Sequence, residues 1–102
     1  MILAKVEGCV VATKKNAKMT GNKLLLVRPM VIDSASASEF KPGLSTLVAV
    51  DSLGAGENQV VLVVQGSSAR LGTDAKDSPV DAVVIGIVDT VDMAKRILYR
   101  AP

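Results

Sequence analysis

Residues 81–91, DAVVIGIVDTV, decide how the chain is read. Side chains alternate across a pleated strand, which places Val83, Ile85 and Ile87 on one face and Ala82, Val84 and Val88 on the other. Both faces are then apolar. β-Branched residues fill the stretch, and its length suits a strand better than a helix. A strand with one wet face alternates apolar with polar, and this one does not. Residues 24–27 (LLLV) and 60–64 (VVLVV) repeat the pattern. One apolar face therefore fills a barrel, and the other needs separate cover. With almost no helix to spare, neighbouring copies of the chain are the expected cover, since extended apolar patches mark interaction sites.

Working outward, four more apolar segments are bounded by turn residues: 2–13 (broken by Gly8), 23–32, 46–51 and 59–65. Gly8 predicts a bulge or bend. Pro29 has no backbone donor, so the end of its strand is expected at an edge or bulge. Polar segments 33–45 and 72–79 read as loops. A short helix is expected at 67–71, capped by Ser67 or Ser68. The tail, 93–102, contains the helix formers MAKRIL but is too short to hold a helix alone. The expected fold is all-β: a single domain, 1–102, with five strands in a small closed or nearly closed antiparallel barrel and one short helix.

Composition narrows the function. The 102 residues are 49% hydrophobic but only 2% aromatic, Phe40 and Tyr99 alone, so the core is aliphatic and rings are too few to close a deep ligand pocket. Formal net charge is +2, too small to drive nucleic-acid or membrane binding. Cys9 is the only cysteine, which rules out an internal disulfide and fits a reducing, cytoplasmic setting. Lys5 and Glu7 interrupt the N-terminus before a signal-peptide core forms, and no apolar run reaches the roughly 20 residues of a membrane span. Histidine is absent, which removes the commonest general base and metal ligand and any Ser-His-Asp triad. An enzyme is disfavoured, and no cofactor or metal is expected.

Several motifs imitate active sites. Gly54-Ala55-Gly56 has the glycines of a phosphate loop, but a dinucleotide fingerprint needs a third glycine where Gln59 stands, opening a helix where a strand follows here. A tight turn between strands explains it directly. The run from Gly66 through Ser67, Ser68 and Ala69 to Arg70 imitates a nucleophile elbow, with Arg70 in place of the last glycine and no histidine to activate the serine. Helix capping is the simpler reading. Lys14, Lys15, Lys18 and Lys23 form a basic loop region, the basis of an alternative reading as a nucleic-acid-binding module. Without a nearby aromatic, a guard against edge pairing or a solvated loop explains it better. Asp81 and Asp89 share a strand face but lie about 27 Å apart at ~3.4 Å per residue, too far for one ion, and with Asp92 they read as markers of the strand ends.

Four blocks in chain order carry a family resemblance: GCVVATKK at 8–15, GNKLLLVRP at 21–29, VAVDSLGAGENQVVLVVQGSSAR at 48–70 and PVDAVVIGIVDTVD at 79–92. Together they are similar to the vertex-protein family of bacterial microcompartments, the EutN/CcmL type. The resemblance implies an OB-like barrel and a five-membered ring. It further implies that such rings close the fivefold vertices of a shell otherwise tiled by hexameric shell proteins, around metabolic enzymes. The vertex protein itself is then structural and resides in the shell. Segment 33–45 is the variable connection, and Asn58 stands where the family's turn often has glycine. Asparagine tolerates left-handed backbone. The expected subunit contacts are the turn 51–57 (with Asp51, Gly54, Ala55 and Gly56), the segment 66–70 (with Gly66, Ser67, Ser68 and Arg70), and Val84 and Val88 as outward side chains of the last strand. Head-to-tail contacts between identical wedges close a ring when the rotation per copy is one fifth of a turn.

Overall fold

The computed structural model describes residues 1–12, 23–32, 40–66 and 81–102. All eight elements there are strands: β1 (Ile2–Val10), β2 (Lys23–Ile32), β3 (Phe40–Pro42), β4 (Leu47–Asp51), β5 (Val60–Gln65), β6 (Ala82–Ile87), β7 (Thr90–Met93) and β8 (Arg96–Arg100). Five of them close a barrel. β1 pairs antiparallel with β2 and with β5, β5 with β6, and β2 with β4, while a single parallel bridge, Val50 to Val83, joins β4 to β6. That connectivity leaves no free edge among the five strands, which is the advantage of a barrel over an open sheet. The helix expected at 67–71 lies outside the described residues.

β2 shows how the chain handles Pro29. Its β4 partner runs only from Lys23 to Val27, so the missing amide at Pro29 falls just past the end of that ladder. From Met30 to Ile32 the strand pairs with the short β3 instead. The carbonyl of Pro29 accepts from the Gly43 amide at 2.8 Å.

Two bulges reset which side chains point inward. In β1 the register shifts between Val6 and Gly8, leaving Glu7 unpaired, and the Glu7 carboxylate accepts from Arg28 Nε of β2. The bend anticipated at Gly8 is therefore made by its neighbour. The second bulge lies opposite the Leu62–Val63 step and leaves Ile85 unpaired. Ala82 and Val84 point into the barrel, and beyond the extra residue Ile87 does too. The strict alternation read from the sequence puts Val84 outside, and the structure corrects this. Val84 is 2% exposed and belongs to the core with Ala4, Val6, Leu25, Val27, Ala49, Val61 and Val63.

The core is aliphatic, as composition requires, and its alanines keep a small barrel from overfilling. On the other side of the sheet Val83 is fully buried beside Val50 and Leu24. That outer face is thus partly covered within the protomer. Val48 (45% exposed) and Ile85 (38%) remain open, with Leu26 and Leu62 half-buried nearby. The Leu62 side chain lies over Gly86, where an added Cβ would come within 3.3 Å of it.

The tail is a hairpin, not a helix. β7 and β8 form their own two-stranded sheet, turned by Ala94 (φ 54°) and Lys95 (φ 64°), both left-handed as a two-residue hairpin turn of the primed type demands. An isolated hairpin is marginal in water, so something must hold it. Tyr99 does so: its hydroxyl accepts from the Val60 amide at 3.2 Å, and its ring meets Phe40 edge-on at 6.0 Å. The chain's two aromatic residues thus spend themselves on one contact that ties β8 to β5 and β3.

Candidate subunit-contact site

The loop joining β4 to β5 closes one end of the barrel. Asp51, last residue of β4, is 3% exposed and is the only buried charged side chain among the described residues. Its carboxylate accepts from the Leu53 amide (Oδ1, 2.8 Å) and from the Ala55 amide (Oδ2, 2.8 Å). An aspartate bonding the backbone two residues on is an Asx turn, and the second bond extends the clamp to Ala55. From the facing strand, Lys23 Nζ donates to the Ala55 carbonyl at 3.2 Å. Ala55 is held by both its amide and its carbonyl, and its methyl group, 1% exposed, plugs the core.

The rest of the loop is equally tied. Gln59 Oε1 accepts from the Gly56 amide at 2.7 Å, and the Gly56 carbonyl accepts from the Gln59 amide at 3.2 Å. Val6 of β1 accepts from Asn58 and donates to Gln59, each at 2.9 Å. Gly54 (φ 85°) and Asn58 (φ 69°) take the left-handed turns, so asparagine fills the position where the family favours glycine without breaking the loop. Gly56 has ordinary φ, and an added Cβ there would meet Gln59 Oε1 at 3.8 Å, an ordinary contact. The amides of Leu53, Ala55 and Gly56 already meet the chain's own oxygens, which leaves none of the three free to cradle a phosphate. What the loop presents outward is Leu53 (49% exposed) and the exposed Ser52, Gly54, Gly56 and Glu57. It is a rigid, shaped edge.

Of the residues singled out in sequence, the structure gathers Asp51, Gly54, Ala55 and Gly56 in this loop. Gly66 (φ 75°) stands apart at the end of β5, where its amide donates to the Asp81 carbonyl at 2.8 Å. Val88 is half-buried, and its amide donates to Val60 at 2.8 Å. Val84 is core. Ser67, Ser68 and Arg70 lie outside the described residues, as do Lys14, Lys15 and Lys18, while Lys23 is engaged with Ala55. The nucleic-acid reading has no support, since the two aromatic rings pack on each other and on the backbone. Sequence reasoning placed Lys23 only in a basic loop, and it missed the bracing role of Gln59 and the outer strip of Val48 and Ile85. An aspartate two residues ahead of a Leu-Gly turn was the available signal for the clamp.

Beside the loop is a cavity of about 140 Å³ lined by Val6, Gly8, Cys9, Lys23, Leu25, Ala55, Gly56 and Glu57. Its walls are mostly apolar, and its ammonium is already bonded to the loop. Among the described residues no group of three His, Cys, Asp or Glu side chains is placed to hold a metal.

A closed five-stranded barrel of OB-like order, with a cross-braced loop and a two-sided apolar sheet, defines a class of small assembly protein. The chain belongs to the EutN/CcmL family, whose model (ethanolamine utilisation protein EutN/carboxysome) matches residues 1–89. It is 46% identical over 92 residues to the bacterial microcompartment shell vertex protein GrpN of Rhodospirillum rubrum, covering 90% of this chain and 97% of that one. To the carboxysome shell vertex protein CcmL of a Synechocystis species it is 44% identical over 100 residues, 98% of this chain and 94% of the other. Among solved structures, the GrpN pentameric microcompartment shell protein superposes with a TM-score of 0.78 at 44% identity, covering 92% of this chain and 100% of that one.

Proposed function

We propose that the protein is a structural shell component, not an enzyme, and that five copies form a ring which closes the fivefold vertices of a bacterial microcompartment shell. The observation that carries this is the near full-length identity to shell vertex proteins, one of them pentameric. The physical basis is the barrel's second apolar side: Val48 and Ile85 remain open on a face whose neighbours Val50 and Val83 are dry. A second protomer covers that strip, and the rigid loop 51–57 forms part of the same head-to-tail contact, with Leu53 as its apolar tip. The segment 66–70 belongs to this contact zone as well. A fivefold unit among flat sixfold tiles introduces the curvature a closed shell needs, so the ring's rim docks hexameric shell proteins. Negative-stain images of the purified protein then show rings of fivefold symmetry. Co-expressed with a hexameric shell protein, it turns open sheets or tubes into closed polyhedra. Rings of another order, or polyhedra that close equally well without this chain, overturn the proposal.

A further inference from the structure

The β7–β8 hairpin holds all of the chain's net charge. Of the 12 lysines and arginines it carries three, Lys95, Arg96 and Arg100, and of the 10 acidic residues one, Asp92, so the rest of the chain balances at nine against nine and the formal +2 belongs to the hairpin. All three cations are exposed, and among the described residues their side chains form no ion pair or hydrogen bond. The family match ends at residue 89, one residue before β7 begins. Beyond it the hairpin forms a two-stranded sheet of its own.

Its two sides differ. Register places Val91 and Tyr99 on the side held against Phe40 and Val60, where Met93 is also half-buried. A shift leaves Leu98 unpaired, so that Ile97 and Arg100 share the opposite side with Thr90 and Asp92, all four exposed. Ile97 is 55% exposed there. The turn keeps Ala94 and Lys95 left-handed, where glycine or asparagine is easier, and so retains a lysine side chain at the tip. Ile97 thus has Arg100 on its own face and Asp92 paired across from it, Lys95 stands at the turn, and Arg96, paired with Met93, lies on the opposite side.

We propose that this hairpin is a docking arm for an acidic protein segment, whose carboxylates meet Arg100 and the turn residue Lys95 while an aliphatic side chain covers Ile97, with Arg96 adding to the positive charge of the tip from the opposite face. Arginine favours such a partner because its planar donor fork matches a carboxylate. Nucleic acid is the weaker occupant, because the only two aromatic rings are spent on each other and none remains for a base to stack on. This proposal does not depend on the shell-vertex reading, since it concerns the arm and not the ring.

The test uses the full-length protein and a fluorescein-labelled peptide of eight glutamates with one central leucine, read by fluorescence anisotropy. Saturable binding that weakens as salt is raised is expected. Combined Lys95→Glu and Arg96→Glu, or Arg100→Glu alone, weakens it about tenfold or more, and Ile97→Ser weakens it at high salt, where the apolar contact dominates. Lys5→Glu, with the same charge change as Arg100→Glu but on the barrel, leaves binding within about twofold. Circular dichroism verifies that each variant is folded. If Lys5→Glu weakens binding as much as Arg100→Glu, net charge and not the hairpin is responsible and the proposal fails. It fails also if the peptide does not bind, or if a duplex oligonucleotide of equal charge displaces it at lower concentration.

Discussion

Replacing Asp51 with alanine removes one carboxylate and leaves two amides without a partner. Hydrogen bonds to a charged acceptor contribute about 1.5–3 kcal/mol each. The Ala55 amide lies in the buried plug and stays unpaired, whereas the Leu53 amide is nearer solvent and water recovers part of its loss. The expected cost is about 2–4 kcal/mol. For a chain of this size that lowers the melting midpoint by roughly 10–20 °C. Asp51→Asn keeps one acceptor and turns a donor toward the other amide, so it recovers less than half of the loss. Thermal and urea unfolding followed by circular dichroism at matched protomer concentration measure both variants, since ring formation makes stability depend on concentration. With the loop loosened, the ring contact weakens as well, and dissociation shifts to higher protein concentration. An Asp51→Ala midpoint within about 3 °C of the parent, with unchanged dissociation, refutes the clamp as the source of the loop's shape.

Val84→Asp and Ile85→Asp separate the two sides of the sheet. The first places an unpaired charge in the core and abolishes folding, while the second leaves a folded barrel that no longer forms rings, seen by circular dichroism and size-exclusion chromatography together. Tyr99→Phe orphans the Val60 amide and costs about 1 kcal/mol, with faster hydrogen exchange localised to the hairpin and β5. Gly54→Ala forces a Cβ into left-handed backbone and costs about 1 kcal/mol with the ring intact, read from the same urea curves.

Much of the barrel was legible because its strands are bounded by hard punctuation. Segment 23–32 lies between the turn-forming residue types Thr-Gly-Asn in the sequence and Asp33, and it appears whole as β2. Segment 59–65 follows a Gly-rich turn and appears as β5 one residue shorter. The facing of β6 was not legible, because a single unpaired residue at Ile85 inverts the alternation and nothing in a run of valines and isoleucines marks where it falls. The hairpin was hidden for a different reason. Met93, Ala94, Lys95 and Arg96 have good helix propensity, and the Ala-Lys turn carries neither glycine nor asparagine to announce it. Tyr99, by reaching Val60 and Phe40, supplies the tertiary contact that outweighs local preference. Of the contact loop, its glycine turn was visible in sequence. Lys23 was not, since its role depends on β2 and β4 pairing Lys23 with Asp51 across the barrel end.

The central claim is that the apolar outer strip of Val48 and Ile85 is dry only when protomers meet in a ring of five. Native mass spectrometry of the purified 10.6 kDa chain addresses it most directly. A dominant species of about 53 kDa, five times the chain mass, is expected. A stable single-chain species that persists as protein concentration is raised contradicts it.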